Sequence, residues 1–179
     1  MRWEFELLYF FQSLHVPWLD RLMVFVTSLA NHGEVWLALA AVCLCFSKTR
    51  RLGIAMFLSI ALGYITGNLL LKNLIARSRP CWLEPRIPLL ISVPRDYSFP
   101  SGHTLVSFEG AVSVWLYDRR WGRVATVLAV LIACSRLYLF VHFPTDIAAG
   151  MLLGTASAYI SWKLVTRAGE KMPGLKHMK

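Results

Sequence analysis

Three short stretches of this 179-residue chain carry side chains able to do chemistry, and each adjoins an apolar run. Between Ser135 and Asp146 the chain places Arg136, His142 and, four residues after that histidine, Asp146, the spacing of an imidazole oriented by a carboxylate. Pro100-Ser101-Gly102-His103 brings a second histidine, and Lys72 with Arg79-Pro80 brings two fixed cations. Ionisable groups bordering a membrane are costly unless paired or functional, so their gathering needs a reason. Cations beside a nucleophile or base describe a site for an oxyanion.

Each residue also has a duller reading. Lys72 ends a long apolar helix, where a lysine alone would snorkel toward the membrane surface. Arg79 and Arg136 would then merely meet lipid headgroups, Ser101 would be an N-cap, His103 a bystander and Asp146 the cap of the last helix. In company the reading changes. Lys72, Arg79 and Arg136 suit a dianionic phosphate, which arginine binds through a planar fork. A helix opening at Ser101-Gly102 offers free N–H groups and a positive dipole end, and Gly102 lets the anion approach the backbone. Neutral His142 attacks phosphorus while Asp146 steadies the other ring nitrogen, and His103 protonates the leaving alkoxide and then activates water. Apart from the His142 and Asp146 pair, no His, Asp or Glu cluster has metal-ligand spacing, and neither a metal nor another cofactor is expected.

In order and spacing, K-x6-R-P from Lys72 to Pro80, P-S-G-H from Pro100 to His103 and S-R-x5-H-x3-D from Ser135 to Asp146 resemble the three-part signature of the type 2 phosphatidic acid phosphatase (PAP2) superfamily. The resemblance implies His142 as nucleophile, His103 as general acid and base, and Asp146 as the residue that orients His142. It implies Lys72, Arg79, Ser101, Gly102 and Arg136 as phosphate ligands, with no metal required. The superfamily also holds soluble acid phosphatases and vanadium haloperoxidases, but the apolar segments point to its membrane lipid phosphatases.

The elements that must position these residues are membrane helices. Hydrophobic residues make up 56% of the chain, mean hydropathy is +0.52, and the length suits a single domain. The net charge of +9 falls in short clusters between apolar runs, which argues for membrane orientation and against nucleic acid. Cys43, Cys45, Cys81 and Cys134 have neither metal nor disulfide-framework spacing. The N-terminus lacks the cationic and small-residue features of a removable signal peptide.

Residues 3–14 and 18–29 are too short for a comfortable span of ~30 Å and mix acids and tryptophans into their apolar period, so two interfacial helices are expected over 1–31. A sixth span here is the alternative. Five spans are expected within a core of 33–165, at 33–47, 52–75, 102–117, 121–140 and 145–165, with a basic tail over 166–179. Trp36 and Trp115 suit an aromatic belt. Gly63 with Gly67 and Gly150 with Gly154 form small-x3-small pairs that permit close helix approach, or are simply common membrane glycines. Glu109 falls in mid-span outside the motifs. It pairs with Thr66 or Asn68, sits behind the cations, or faces lipid, and the first is preferred.

Eleven cations (Lys48, Arg50, Arg51, Arg119, Arg120, Arg123, Lys163, Arg167, Lys171, Lys176 and Lys179) lie in connections on one side, which the positive-inside rule makes cytoplasmic. All three motifs are then on the outer face. The loop from 76 to 101, rich in proline, either carries Ile87 to Ile91 at the membrane surface beside an acyl or prenyl chain or is a mobile loop without that role. The expectation is an all-α multi-pass protein of the inner or plasma membrane that hydrolyses a lipid phosphate ester or diphosphate, of the undecaprenyl diphosphate or phosphatidylglycerophosphate type. A lipid phosphotransferase is the neighbouring alternative, and a non-catalytic lipid transporter or assembly factor the alternative of another class.

Overall fold

In the computed structural model the described residues are 2–171, and every regular element among them is helical. They are α1 (Arg2–Ser13), α2 (Pro17–Ser28), α3 (Glu34–Cys45), α4 (Arg50–Gly63), a π-helical continuation (Tyr64–Leu71), α5 (Lys72–Ile75), α6 (Pro80–Leu83), α7 (Gly102–Tyr117), α8 (Arg119–Tyr138) and α9 (Pro144–Lys171). Their limits follow the expected segments to within a few residues, apart from α6, a short helix inside the expected loop, and α9. That helix continues through 166–171, the first part of the expected tail. Residues 172–179, with Lys176 and Lys179, lie outside the described residues.

Helix α7 is the centre of the bundle. Leu105, Val106, Phe108, Ala111 and Val114 are buried together with Thr104, Ser107, Glu109 and Ser113, and burial around the whole circumference marks a helix enclosed by others. It packs against α8, α9 and α4. The two glycine pairs make this possible. A Cβ at Gly150 would lie 2.8 Å from the Ser101 carbonyl oxygen, and one at Gly67 would lie 2.6 Å from a Leu105 methyl. Gly63 and Gly154 likewise press on α7, so all four are sites of close approach.

Helices α1 and α2 have 12 residues each, or about 18 Å at 1.5 Å per residue. They lie across the end of α8 that leads to His142. The Gln12 amide donates to the Tyr138 carbonyl at 3.0 Å, and the Tyr138 hydroxyl donates to Asp20 at 2.6 Å. Two helical stretches are by themselves long and apolar enough to cross a membrane, Arg50–Leu83 and Arg119–Tyr138, and Glu34–Cys45 is a shorter apolar helix.

One expectation is corrected. Trp36 is buried in the core and not at an aromatic belt: its indole N–H donates to Ser107 at 3.1 Å, and its ring fills the space left by Gly110. Pairing with a buried hydroxyl removes the need for an interfacial position. The four cysteines are free.

Between α6 and α7 the chain is irregular. It is tied down by the Trp82 indole on the Pro94 carbonyl at 3.1 Å and by the Ser98 amide on the Arg77 carbonyl at 2.8 Å. These bonds bring Asp96 and Ser98 back to the ends of α5, α8 and α9.

Candidate active site

His142 lies in the turn between α8 and α9, almost wholly buried. Arg79, at the N-terminal boundary of α6, donates from Nη1 to its Nε2 at 3.0 Å. A guanidinium has no lone pair to offer, so Nε2 must accept and the ring proton must sit on Nδ1. Burial first, and then the positive charges of Arg79, Arg136 and Lys72, hold the imidazole well below its ordinary pKa, and the ring is neutral. Its one in-plane lone pair is therefore on Nε2, beside the cations and accepting from Arg79 until a substrate takes its place.

The Nδ1 side faces Asp146 and Ser98. Asp146 Oδ2 is 3.6 Å from Nδ1, and the Ser98 hydroxyl, 3.5 Å from Nδ1, donates to the same Oδ2 at 2.5 Å. Oδ2 also accepts the Phe143 backbone N–H at 2.8 Å, which is the reach-back half of a capping box at the start of α9. Oδ1 accepts from Arg77 Nη1 at 2.6 Å, and Arg77 Nη2 binds Glu4 at 2.9 Å. Asp146 thus caps its helix and faces His142 at once, so the two readings of this residue are compatible.

Arg79 is fixed by the carbonyl oxygens of Asp96 (2.7 Å) and Val141 (2.8 Å) and by the Asp96 carboxylate (2.8 Å). Lys72 donates to the other Asp96 oxygen at 2.5 Å. Burial works to raise the Asp96 carboxyl, but Lys72 and Arg79 outweigh it and hold the group at about 2. Arg136, from the last turn of α8, donates from Nη1 to the Thr27 hydroxyl at 2.5 Å, and its Nε is buried without a partner. Three cations against one carboxylate leave the cradle positive, as the spacing of the motifs implies.

Ser101 is the N-cap of α7, its hydroxyl accepting from the Thr104 amide at 3.4 Å and from the Thr104 hydroxyl at 3.0 Å. Its own amide donates to the Asp146 carbonyl at 3.1 Å, which docks this helix start onto α9. His103 sits in the first turn with Nε2 3.2 Å from Asn31 Oδ1. A cavity of about 830 Å³ joins these parts: Lys72, Arg79, Gly102, His103, Arg136 and His142 all line it, while Ser101 and Asp146 stand just behind the wall. Among the described residues no three His, Cys, Asp or Glu side chains group as a metal would require.

The sequence reading missed a surrounding layer. Arg77, Asp96, Ser98, Thr27, Asn31 and Glu4 each bond a motif residue or the partner of one, across as many as 109 positions for Arg136 and Thr27. The pairing preferred for Glu109 is not formed. Thr66 bonds the Leu62 carbonyl of its own helix, and Glu109, whose carboxyl lies against Ser59 and Gly63, shares the cavity wall with Asn68 without bonding it.

Comparison with known proteins gives the family. The family model of the PAP2 superfamily matches residues 52–170. An undecaprenyl-diphosphatase of Sulfolobus acidocaldarius is 36% identical over 144 residues, which are 80% of this chain and 69% of that protein. The crystal structure of Aquifex aeolicus LpxE superposes with a TM-score of 0.80 at 27% identity, covering 89% of this chain and 94% of the other. A Bacillus subtilis transmembrane PAP2-type phosphatidylglycerolphosphate phosphatase gives 0.71 at 26% identity, covering 93% and 84%. With all three motifs set around one cavity in an all-helical fold, the chain belongs to the PAP2 superfamily, in its membrane lipid phosphatase branch.

Proposed function

We propose that this protein hydrolyses a lipid phosphate monoester or diphosphate, of the undecaprenyl diphosphate or phosphatidylglycerophosphate type, through a phosphohistidine intermediate at the outer membrane face. The observation that carries the reading is the bond from Arg79 to His142 Nε2, which leaves a neutral imidazole with its lone pair among three cations. The names of the relatives point to substrates of the same class: an undecaprenyl diphosphate and a phosphatidylglycerolphosphate.

In the first step Nε2 attacks the terminal phosphorus, its bond to the ester oxygen (or, in a diphosphate, to the bridging oxygen) breaks, and His103 gives its proton to the departing oxygen. Lys72, Arg79 and Arg136 take the equatorial charge, with the amides at the start of α7 behind Gly102. In the second step a water loses its proton to His103 and attacks phosphorus, the P–N bond breaks, and neutral His142 returns with inorganic phosphate. The cations fill the part that a metal plays elsewhere, so the reaction is read as metal-independent.

For the bilayer we propose five spans, built on α3, α4 with its π continuation, α7, α8 and α9, with α1 and α2 at the outer surface. Nine of the eleven cations, all but Lys176 and Lys179, lie at or beside the ends of α3, α4, α7, α8 and α9 that this orientation makes cytoplasmic. The protein is accordingly placed in the inner or plasma membrane.

The test is phosphate release by purified protein from diphosphate prenols, phosphatidic acid, phosphatidylglycerophosphate and soluble esters, with and without EDTA and with and without an acceptor lipid. Release from a lipid substrate, unaffected by EDTA and reduced by about 10²-fold or more in His142→Ala and His103→Ala, is expected. Absence of release from every lipid phosphate overturns the reading, transfer to the acceptor makes it a phosphotransferase, and loss of activity in EDTA restored by one divalent ion makes it metal-dependent.

A further inference from the structure

Ser98 is fully buried and belongs to none of the three motifs. Its backbone amide is fixed by the Arg77 carbonyl at 2.8 Å, and its hydroxyl stands between the two groups whose partnership the chemistry requires. It is 2.5 Å from Asp146 Oδ2 and 3.5 Å from His142 Nδ1, while the direct Nδ1 to Oδ2 separation is 3.6 Å.

The hydrogens in this group have a single consistent assignment. Arg79 forces Nε2 to accept, so Nδ1 carries the ring proton. A carboxylate offers no hydrogen, so the one hydroxyl proton of Ser98 goes to Asp146 at the shorter contact. Its lone pairs are then left for Nδ1–H. The result is a chain running one way, Nδ1–H to Oγ and Oγ–H to Oδ2, with no donor opposed to a donor.

The geometry points to Ser98 as a positioning residue that relays the orienting effect of Asp146 to His142, a role resting on the proposed phosphatase chemistry. As Nε2 bonds phosphorus the ring becomes cationic, Nδ1–H becomes a stronger donor, and the 3.5 Å contact is the one that shortens. Asp146 Oδ2 already accepts from Phe143 N–H and from Ser98, and Oδ1 from Arg77, so the carboxylate is held where it stands. Ser98 is the part free to follow the ring.

The experiment compares wild type, Ser98→Ala, Asp146→Asn and the double variant on phosphatidic acid, alongside spectra of 15N-histidine-labelled protein in detergent. Ser98→Ala is expected to lower kcat by about tenfold or more with KM nearly unchanged, and the double variant to be no slower than Asp146→Asn alone. The His142 Nδ1–H resonance is expected to shift or vanish in Ser98→Ala. Ser98→Thr, which keeps the hydroxyl, should retain part of the kcat that Ser98→Ala loses. A kcat within about twofold of wild type, fully additive losses, or an unchanged Nδ1–H resonance each overturn the relay. The spectra read the relay independently of turnover: a wild type that releases no phosphate while its Nδ1–H responds to Ser98→Ala would reject the phosphatase reading and keep the hydrogen-bond chain. If Ser98→Ala does not fold, Ser98→Gly provides the same deletion of the hydroxyl.

Discussion

Lys72 Nζ and Asp96 Oδ2 are 2.5 Å apart, so a cation assigned to substrate phosphate is already bound to a carboxylate. Arg79 holds the other oxygen of the same group, and Asp96, unlike the cations, is more than half exposed at its side chain. An incoming phosphate competes with Asp96 for both. Asp96→Asn is expected to tighten competitive inhibition by inorganic phosphate about tenfold, or about 1.4 kcal/mol. Weaker inhibition would mean that Asp96 is needed to hold the two cations together.

Arg77 bridges Glu4 and Asp146, both buried, and so joins α1 to the start of α9. Its removal leaves two buried carboxyl groups without their cation, a loss of about 3–5 kcal/mol by analogy with broken buried pairs. Arg77→Met should lower the melting temperature in detergent, and adding Glu4→Gln should recover part of it. An unchanged melting temperature in Arg77→Met would show the bridge to be dispensable.

The pH dependence follows from two groups outside the spans. His142 is held well below its ordinary value by burial and by neighbouring cations, so the acid limb of kcat/KM should lie below pH ~6.5, and a limb at or above that value would contradict a neutral nucleophile. The unfolded chain takes up a proton there that the folded chain refuses, so His142 makes stability decline as pH falls below about 6.5. The Asp96 pair acts in a lower window: its stabilisation is complete above the ordinary carboxylate value of 3.8 and is lost as pH falls through about 2. Melting curves between pH 4 and 8 should therefore report histidine and not Asp96.

Glu109 is fully buried, its carboxyl against Gly63 and within reach of Ser59. Glu109→Gln is expected to keep turnover within about threefold, and Glu109→Leu to raise the melting temperature, since a buried carboxyl costs more than an apolar side chain unless it is fully hydrogen-bonded. A large loss of turnover in Glu109→Gln at unchanged melting temperature would bring this cavity-lining residue into the site.

Topology is testable by labelling in a background with Cys43, Cys45, Cys81 and Cys134 replaced. Gly122, in the first turn of α8, is a poor position because a Cβ there would collide with the Trp115 backbone. Arg120→Cys, on the exposed side of that turn, should be protected from an impermeant thiol reagent in intact cells, and Leu90→Cys should react. The reverse pattern would put the site in the cytoplasm.

The helices and the motif residues were legible because both follow local rules. Apolar runs of the right length specify α4, α7 and α8, and Ser101 announces the start of α7 by its own capping chemistry. The surrounding layer obeys no local rule. Thr27 meets Arg136, Asn31 meets His103 and Glu4 meets Arg77 only because α1 and α2 fold over the end of the bundle, a tertiary fact. Asp96 left a faint trace: it is the one acid between Pro85 and Phe108, in a loop beside three cations. Trp36 was misjudged because an aromatic near a helix end has two homes, and the partner that chose between them, Ser107, lies 71 residues away.

The π-helical run from Tyr64 to Leu71 works as a phase shifter in the rod that delivers Lys72. Its widened turns, closed by the Lys72 amide on the Gly67 carbonyl five residues back, put the glycines of α4 and the lysine of α5 in different angular frames. Deleting one residue inside the run would let ordinary winding return with Lys72 still facing Asp96 and the cavity, whereas winding the same residues as unbroken α-helix would swing it by about 100°. Alignments of distant relatives that assume an unbroken α period through this stretch would slip by one position at the lysine, and a gap there records how the rod is wound.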